Sequence, residues 1–403
     1  MNIWILNHHA LTPDMSGGTR HYDFAKELVK RGHRVTIIAS SFHYSKYTEM
    51  KEYEDNEFLL EQIDGIDFIW IKTPPYFGNG FARVKNMLAY TYRVLKIVPM
   101  LNLKQPNIII GSSVHLFAVY AAYRLSKKYQ TPFVMEVRDI WPQTLIDMGV
   151  SKWHPFIILL GYLEKFLYKK ANKIISNLPY AYEHIEKFVP KEKCVWISNG
   201  VDLSNIIFVP KEKTENFTIS YTGAIGVANN LEILLKVAER LKERKNIVFR
   251  IVGDGAEKDK LQQKIKEKHL NNVSLEDPVP KHDIMPILQS SDILYFNLKD
   301  SPVFRFGISS NKLFDYMAAG RVIIFSTNAK NNPIKEANAG FTVEPENIEE
   351  LENTILKIYN MPHKTRENIG KRGRKFVEKH YSIQVLADRL ETILEEEVNK
   401  QNA

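Results

Sequence analysis

Ile293-Leu-Tyr-Phe-Asn-Leu-Lys-Asp-Ser-Pro-Val-Phe-Arg-Phe-Gly-Ile-Ser-Ser-Asn-Lys-Leu-Phe-Asp-Tyr-Met-Ala-Ala-Gly-Arg-Val-Ile-Ile-Phe325 runs from one short apolar segment through a polar loop and a helix-length stretch to another. Ile293–Phe296 and Val322–Phe325 read as buried strands, so the run is a strand–helix–strand unit. Gly307 and the Ser309-Ser310-Asn311 cluster favour turns and caps, which starts the helix near Asn311. Lys312 and Asp315 then share one face of its first turn, where unpaired N–H groups and the macrodipole attract an anion. A diphosphate fits such a place, with Asp315 left to accept ribose hydroxyls; an ordinary surface pair at i,i+3 has the same spacing. Ala318, Ala319 and Gly320 allow the helix to pack closely on the strand that follows.

The same alternation extends in both directions. Ile3–Leu6, a loop through Pro13 and Gly17-Gly18, a helix from about Thr19 to Lys30 and the strand Val35–Ala39 open the chain. Further strands are expected at 68–71, 108–110, 133–135, 174–176 and 195–197, all of parallel type. Residues 199–217 break the pattern with Pro210 and a Lys/Glu/Asn-rich run, which reads as a linker. A second series follows at 218–221, 248–252, 273–275, 293–296, 322–325 and 341–343. Over 403 residues this predicts two doubly wound α/β domains, with ligand where strand C-termini face each other. A last helix is expected from Val377 to about Val398.

Composition narrows the function classes. A single cysteine, Cys194, excludes an internal disulfide framework and fits a reducing compartment. A net charge of +8 implies an anionic partner. Zinc-finger spacing, an RNA-recognition motif and a long basic tract are missing, so nucleic acid is not expected. Apolar runs fall well short of the about 18 residues of a membrane span, and the N-terminus lacks signal-peptide order. Two stretches, 81–98 and 153–170, combine an apolar stripe with basic flanks; they suit either core packing or an anionic membrane surface.

Motif by motif, several chemistries lose support. The G-x-G-x-x-G fingerprint is missing at Gly17-Gly18, at Gly223–Gly226 and at Gly253–Gly255, and no Walker A loop, Asp-x-Asp pair, His-Glu-x-x-His or Gly-x-Ser-x-Gly is present. What stands out instead is Glu136-Val-Arg-Asp139-Ile-Trp-Pro142 at the end of a buried-looking strand. Glu136 and Arg138 share a face and Asp139 sits at the exit, which suits ligand groups or an internal Glu–Arg ion pair.

Ser16–Tyr22, Arg31-Gly-His33, Lys72–Tyr76, Glu136–Pro142, Asn199-Gly-Val-Asp202, Val252–Gly255 and the 301–320 run together give the chain a family resemblance over nearly its whole length. It resembles the family 4 glycosyltransferases of the GT-B fold, and within them the bacterial surface-polysaccharide enzymes of the fucosamine (L-FucNAc transferase-like) type. The resemblance implies two Rossmann-like domains, 1–203 and 204–376, an interdomain cleft, and a C-terminal helix, 377–398, crossing back to the first. It implies transfer of an N-acetylated or deoxy amino sugar from a nucleotide diphosphate, a UDP-sugar, to a polyprenyl-diphosphate-linked saccharide in O-antigen, capsule or exopolysaccharide synthesis. The protein would be cytoplasmic and peripheral at the inner leaflet, retaining in stereochemistry, with no metal and no cofactor.

Donor contacts carried over by the resemblance are Gly17, Gly18, Gly223, Ile225, Gly226, Asn229, Gly253, Asp254, Pro280, Arg305, Ser310, Asn311, Lys312, Leu313 and Asp315. The catalytic set is Glu136, Arg138, Asp139 and Lys312. Three departures from the family pattern matter. The first acid of its pair, eight residues before Asp315, is Gly307. The basic pair on the first loop of the second domain is absent from 223–230, which leaves Lys312, then Arg305 and Lys299, to balance the diphosphate. A histidine near the end of the fifth strand is replaced by Arg138 or Asp139. The same architecture would also serve a nucleotide-sugar 2-epimerase or hydrolase, or a non-catalytic binding partner.

Overall fold

The computed structural model describes residues 1–15 and 17–402, so Ser16 of the first glycine loop lies outside it. The chain forms two compact units, one of residues 1–198 and 383–403, the other of residues 199–382. In the first, ten strands are β1 Asn2–Leu6, β2 Arg34–Ala39, β3 Phe42–His43, β4 Thr48–Glu49, β5 Phe58–Ile63, β6 Ile66–Ile71, β7 Ile108–Ser112, β8 Phe133–Val137, β9 Lys173–Ser176 and β10 Cys194–Trp196. Eight make one sheet in the order β10-β9-β8-β7-β1-β2-β6-β5, while β3 and β4 pair as a separate ribbon. The seven strands expected from apolar runs are all parallel.

Strands β3, β4 and β5 were missed; β3 and β4 pair antiparallel with each other, and β5 is the antiparallel strand of the large sheet. It alternates intermediate and exposed residues at the sheet edge, so it carries no continuous apolar run. Its signal was the turn, Asp64-Gly65, where both residues hold positive φ, as a two-residue hairpin requires.

Helices of this unit are α1 Arg20–Lys30, α2 Phe81–Ile97, α3 Leu116–Tyr129, α4 Gln143–Asp147, α5 Pro155–Lys170 and α6 Tyr182–Ile185. The second unit contains strands β11 Phe217–Thr222, β12 Ile247–Val252, β13 Val273–Glu276, β14 Ile293–Asn297, β15 Val322–Ser326 and β16 Gly340–Val343, all parallel, in the order β13-β12-β11-β14-β15-β16. Its helices are α7 Glu232–Arg240, α8 Lys258–Glu267, α9 Ile284–Ser290, α10 Asn311–Ala319, α11 Pro333–Glu336, α12 Ile348–Tyr359 and α13 His363–His380. Both sheets are covered on their faces, which is why their inner strands read as unbroken apolar runs.

Two expectations change. The C-terminal helix predicted over 377–398 is two helices, α13 and α14 (Ile383–Asn402), broken at Tyr381-Ser382. At the break Val201 donates its N–H to the Tyr381 carbonyl at 3.0 Å and bridges Ser382. Helix α14 belongs to the first unit, where Leu386, Ala387, Leu390 and Leu394 are buried with Leu28 of α1. Arg31 meets Asp388 and Glu391 at 2.6 and 2.7 Å, and His33 meets Glu391 at 2.6 Å.

The predicted linker, 199–217, is no free tether. Arg321 donates to the carbonyls of Val209, Gln289, Ala319 and Gly320, and Arg374 reaches the Ile206 carbonyl at 3.0 Å. These guanidinium groups, Arg321 buried and Arg374 half-buried, satisfy main-chain acceptors that would otherwise need water, and so pin the segment along the second unit. Its polar composition gave no sign of this.

Candidate functional site

Each sheet has a point where the chain reverses its direction of winding. In the first it lies between β1 and β7, in the second between β11 and β14, and loops leaving such neighbouring strands part to leave a crevice.

In the second unit, β11 ends in Tyr221-Thr222 and passes into Gly223 at φ +121°. An added Cβ at Gly223 would lie 2.2 Å from Cε of Lys312, and one at Gly253 would lie 1.9 Å from the Gly223 carbonyl oxygen. Bare backbone at both positions therefore lets the loops after β11 and β12 close on each other, with the lysine stem laid across them. Gly223 donates its N–H to Val252 at 2.8 Å, and Ile225 donates its N–H to the Asp254 carbonyl at 2.7 Å. Asn297 donates its side-chain amide to the Asn229 carbonyl at 2.8 Å, and Lys299 donates its N–H to Ala228 at 2.9 Å, which brings the loop after β14 alongside.

Lys312 stands over the rings of Tyr221 and Phe296, its Nζ 4.3 and 5.3 Å from their centroids, and donates to the Tyr221 hydroxyl. Lost solvation lowers its ammonium to about 7. Lys312 is the second residue of α10, which begins at Asn311. Ser310 occupies its N-cap without a side-chain capping bond, so the first turn keeps donors for a ligand. Leu313 is fully buried under the turn, and Asp315 lies half-buried one turn beyond Lys312, where its charge helps raise the phenol of Tyr316 to about 12, burial being the larger cause.

Among the residues predicted to hold donor, the structure thus gathers Gly223, Ile225, Gly226, Asn229, Gly253, Asp254, Ser310, Asn311, Lys312, Leu313 and Asp315 around one crevice. Pro280 and Arg305 are exposed on neighbouring loops. Lys299, ranked behind Lys312 from the sequence, borders a cavity of about 160 Å³ together with Ile225, Gly226 and Lys260, so cationic groups do reach the 223–230 loop from other elements. Gly307 holds φ +90° and is buried, and the next amide is fastened to Asn331 at 2.8 Å.

In the first unit, Gly17 is exposed at φ +139° beside Leu11 and Tyr44. Gly18 precedes α1. Glu136 is not presented at the strand exit: it is 5% exposed, with both carboxylate oxygens engaged. Arg20 donates Nε to it at 2.8 Å, Ser112 its hydroxyl at 2.6 Å, and the His21 ring lies 2.6 Å away. Arg20 also donates to the carbonyl oxygens of Ile197 and Ser198. The Glu–Arg ion pair considered from sequence forms with Arg20, while Arg138 acts on Glu136 only through its charge and donates its backbone N–H to the Ser113 hydroxyl at 3.1 Å. His21 and Arg20 hold the Glu136 carboxyl well below the usual range despite its burial. Arg138 is half-buried and Asp139 exposed.

Sequence reading also passed over His8, His9 and His115. Isolated histidines on apolar strands carry no spacing signal, and these meet only because β1 and β7 are neighbours.

Two family models match the chain. That described as glycosyltransferase family 4 matches residues 16–205, and that described as glycosyl transferases group 1 matches residues 204–376. With the doubly wound sheets, they define a glycosyltransferase of GT-B architecture. Each model describes the part of the chain it matches, and together they support a glycosyltransferase. No curated protein matches it in sequence.

Among solved structures it is similar to sucrose-phosphate synthase from Thermosynechococcus elongatus (TM-score 0.75, 14% identity, 98% of each chain). It is likewise similar to Anabaena HepE in complex with UDP-glucose (0.69, 15%, 98% of this chain and 100% of that one). A third is an alpha,alpha-trehalose-phosphate synthase (UDP-forming) from Burkholderia vietnamiensis (0.71, 10%, 99% of each). At these identities the likeness is one of fold.

Replacing Glu136 by Gln should expose the role of its network. Arg20 would be left buried without its counter-charge, and the first unit should lose about 3–5 kcal/mol in denaturant unfolding. A change under about 1 kcal/mol would show that the carboxylate is not the brace described.

Proposed function

We propose that the chain transfers a sugar from a nucleotide diphosphate, a UDP-sugar, to a saccharide carried on polyprenyl diphosphate. What carries this reading is Lys312, laid across Gly223 at the open N-terminus of α10. The lysine and the first-turn N–H groups supply donors where charge develops on a departing diphosphate, and Asp315 accepts ribose hydroxyls. The UDP and UDP-glucose complexes of the Anabaena protein of like fold support a UDP donor. The amino-sugar donor and the surface-polysaccharide role rest on the resemblance to fucosamine-type enzymes, and so does retention of stereochemistry. In this reading Arg138 and Asp139 face the acceptor and Gly17-Gly18 the donor.

Contact with a membrane surface belongs to the same proposal. No helix among the described residues is long and apolar enough to cross a bilayer. Yet α2 and α5 each bury one face and leave aromatic and aliphatic groups on the other. Phe81 and Tyr92 are exposed on α2, Ile158, Leu159, Tyr162 and Phe166 on α5, with Trp153 just ahead of it. Lys85, Arg93 and Lys96, then Lys152, Lys165, Lys169 and Lys170, flank them. A helix of this kind packs on its core and lies on an anionic interface at once.

A thermal-shift screen of nucleotides should single out UDP and a UDP-sugar, and Asp315→Ala should weaken UDP binding about tenfold without lowering the melting point of the free protein; unchanged UDP affinity would refute the ribose role. UDP-glucose affinity should also depend on pH. Its diphosphate favours the ammonium form of Lys312, so binding holds below about pH 7 and falls above it by up to about tenfold per unit. Lys312→Ala should bind weakly and lose that dependence. Vesicles containing anionic lipid should pull down the chain, less so at high salt or with Trp153→Ala; equal recovery from neutral vesicles would argue against the interface.

A further inference from the structure

At the winding reversal of the first sheet, the loops leaving β1 and β7 carry three histidines that touch. His115 caps α3, its Nδ1 accepting the Ala118 N–H at 3.1 Å. Its proton therefore sits on Nε2, which donates to Nδ1 of His8 at 2.7 Å. This in turn places the His8 proton on Nε2, a buried donor with no partner, on a residue that is 0% exposed. The His8 ring is held between those of His9 and Tyr90, each 4.3 Å away.

Other buried polar atoms around the same loops are also unmatched: Nδ1 of His9, the hydroxyl of Tyr76, which is 6% exposed, and Nε of Arg83 in the first turn of α2. Buried donors left unpaired cost about 1–3 kcal/mol each, so a cluster of them is unusual unless a ligand completes it. The charges felt here are of one sign. Burial and the positive charges of Arg83 and Arg138 drive His9 down to about 3, Arg83 acts likewise on His8 and His115, and no carboxylate contributes at any of them. On the rim, Phe77 is 83% exposed and packs 4.7 Å from the Tyr47 ring, and Phe81 is 82% exposed two positions before Arg83.

We propose that this cluster binds the phosphate or diphosphate group of the acceptor, gripped by Arg83 and Arg138 with His8 Nε2–H and the Tyr76 hydroxyl as neutral donors. Resting on the glycosyl-transfer reading, it assigns the acceptor's anion to the first unit. Guanidinium groups suit phosphate oxygens, and the neutral donors add direction without charge. Exposed Phe77 and Phe81 beside the arginine match a group whose phosphate ends an apolar chain, so a prenyl diphosphate is the expected source. A soluble sugar phosphate would use the same donors and leave the two phenylalanines idle.

The test is calorimetric titration of the full chain saturated with UDP, so that the second unit is occupied, using farnesyl diphosphate, inorganic pyrophosphate, glucose 6-phosphate and farnesol. Farnesyl diphosphate should bind better than pyrophosphate, and farnesol should not bind. Arg83→Gln should weaken farnesyl diphosphate at least tenfold and Tyr76→Phe about threefold, with UDP affinity unchanged in both. In nitrogen NMR the His9 ring should titrate at higher pH once the anion is bound, in the wild type and not in Arg83→Gln. Binding that is equal in wild type and Arg83→Gln overturns the site. Arg83-dependent binding of glucose 6-phosphate that exceeds that of farnesyl diphosphate keeps the anion and overturns the lipid. Should glycosyl transfer itself be wrong, UDP-sugar would fail to turn over while Arg83-dependent anion binding persisted.

Discussion

The buried carboxylate of Glu136 is the constraint around which the first unit is organised. Its partners come from α1 (Arg20 and His21) and from β7 (Ser112), and through Arg20 the network also takes up the carbonyls at Ile197 and Ser198 after β10. One acid thus ties α1, which follows β1, to β7, β8 and the segment after β10 on the other side of the winding reversal. A carboxylate in such surroundings is favourable only because both of its oxygens are met, and the same bonds brace the end of β7, next to the histidine cluster.

The second unit solves a different problem with backbone in place of charge. Its loops after β11 and β12 approach too closely for any side chain at Gly223 or Gly253, and the space released is filled by the stem of Lys312. Packing the lysine against Tyr221 and Phe296 strips water from it, which lowers its hold on a proton. An incoming anion would restore the charge. In this way a site short of basic residues on its first loop keeps a responsive cation, with Lys299 brought to the same loop by strand neighbourhood.

Much of this was legible along the chain. Buried parallel strands advertise themselves as unbroken apolar runs, so all thirteen expected strands are found; β5 escaped because an edge strand alternates, and β3 and β4 because they are only two residues long. The 301–320 run disclosed the α10 start, since caps, glycine and lysine act within a few residues of one another. By contrast, the break at Tyr381-Ser382 and the pinning of 199–217 by Arg321 and Arg374 depend on partners far off in sequence. No local pattern marks them.

The sequence by itself determined the two doubly wound series, the glycine turns and the lysine at the head of α10, because strand burial, turn geometry and helix capping are short-range properties of the chain. Only the tertiary structure decided that Glu136 is buried against Arg20 and His21, that α14 packs on α1, and that His8, His9 and His115 meet near Arg83. Those outcomes follow from which strands become neighbours in a sheet, and that order is set by long-range packing that the linear spacing of residues does not record.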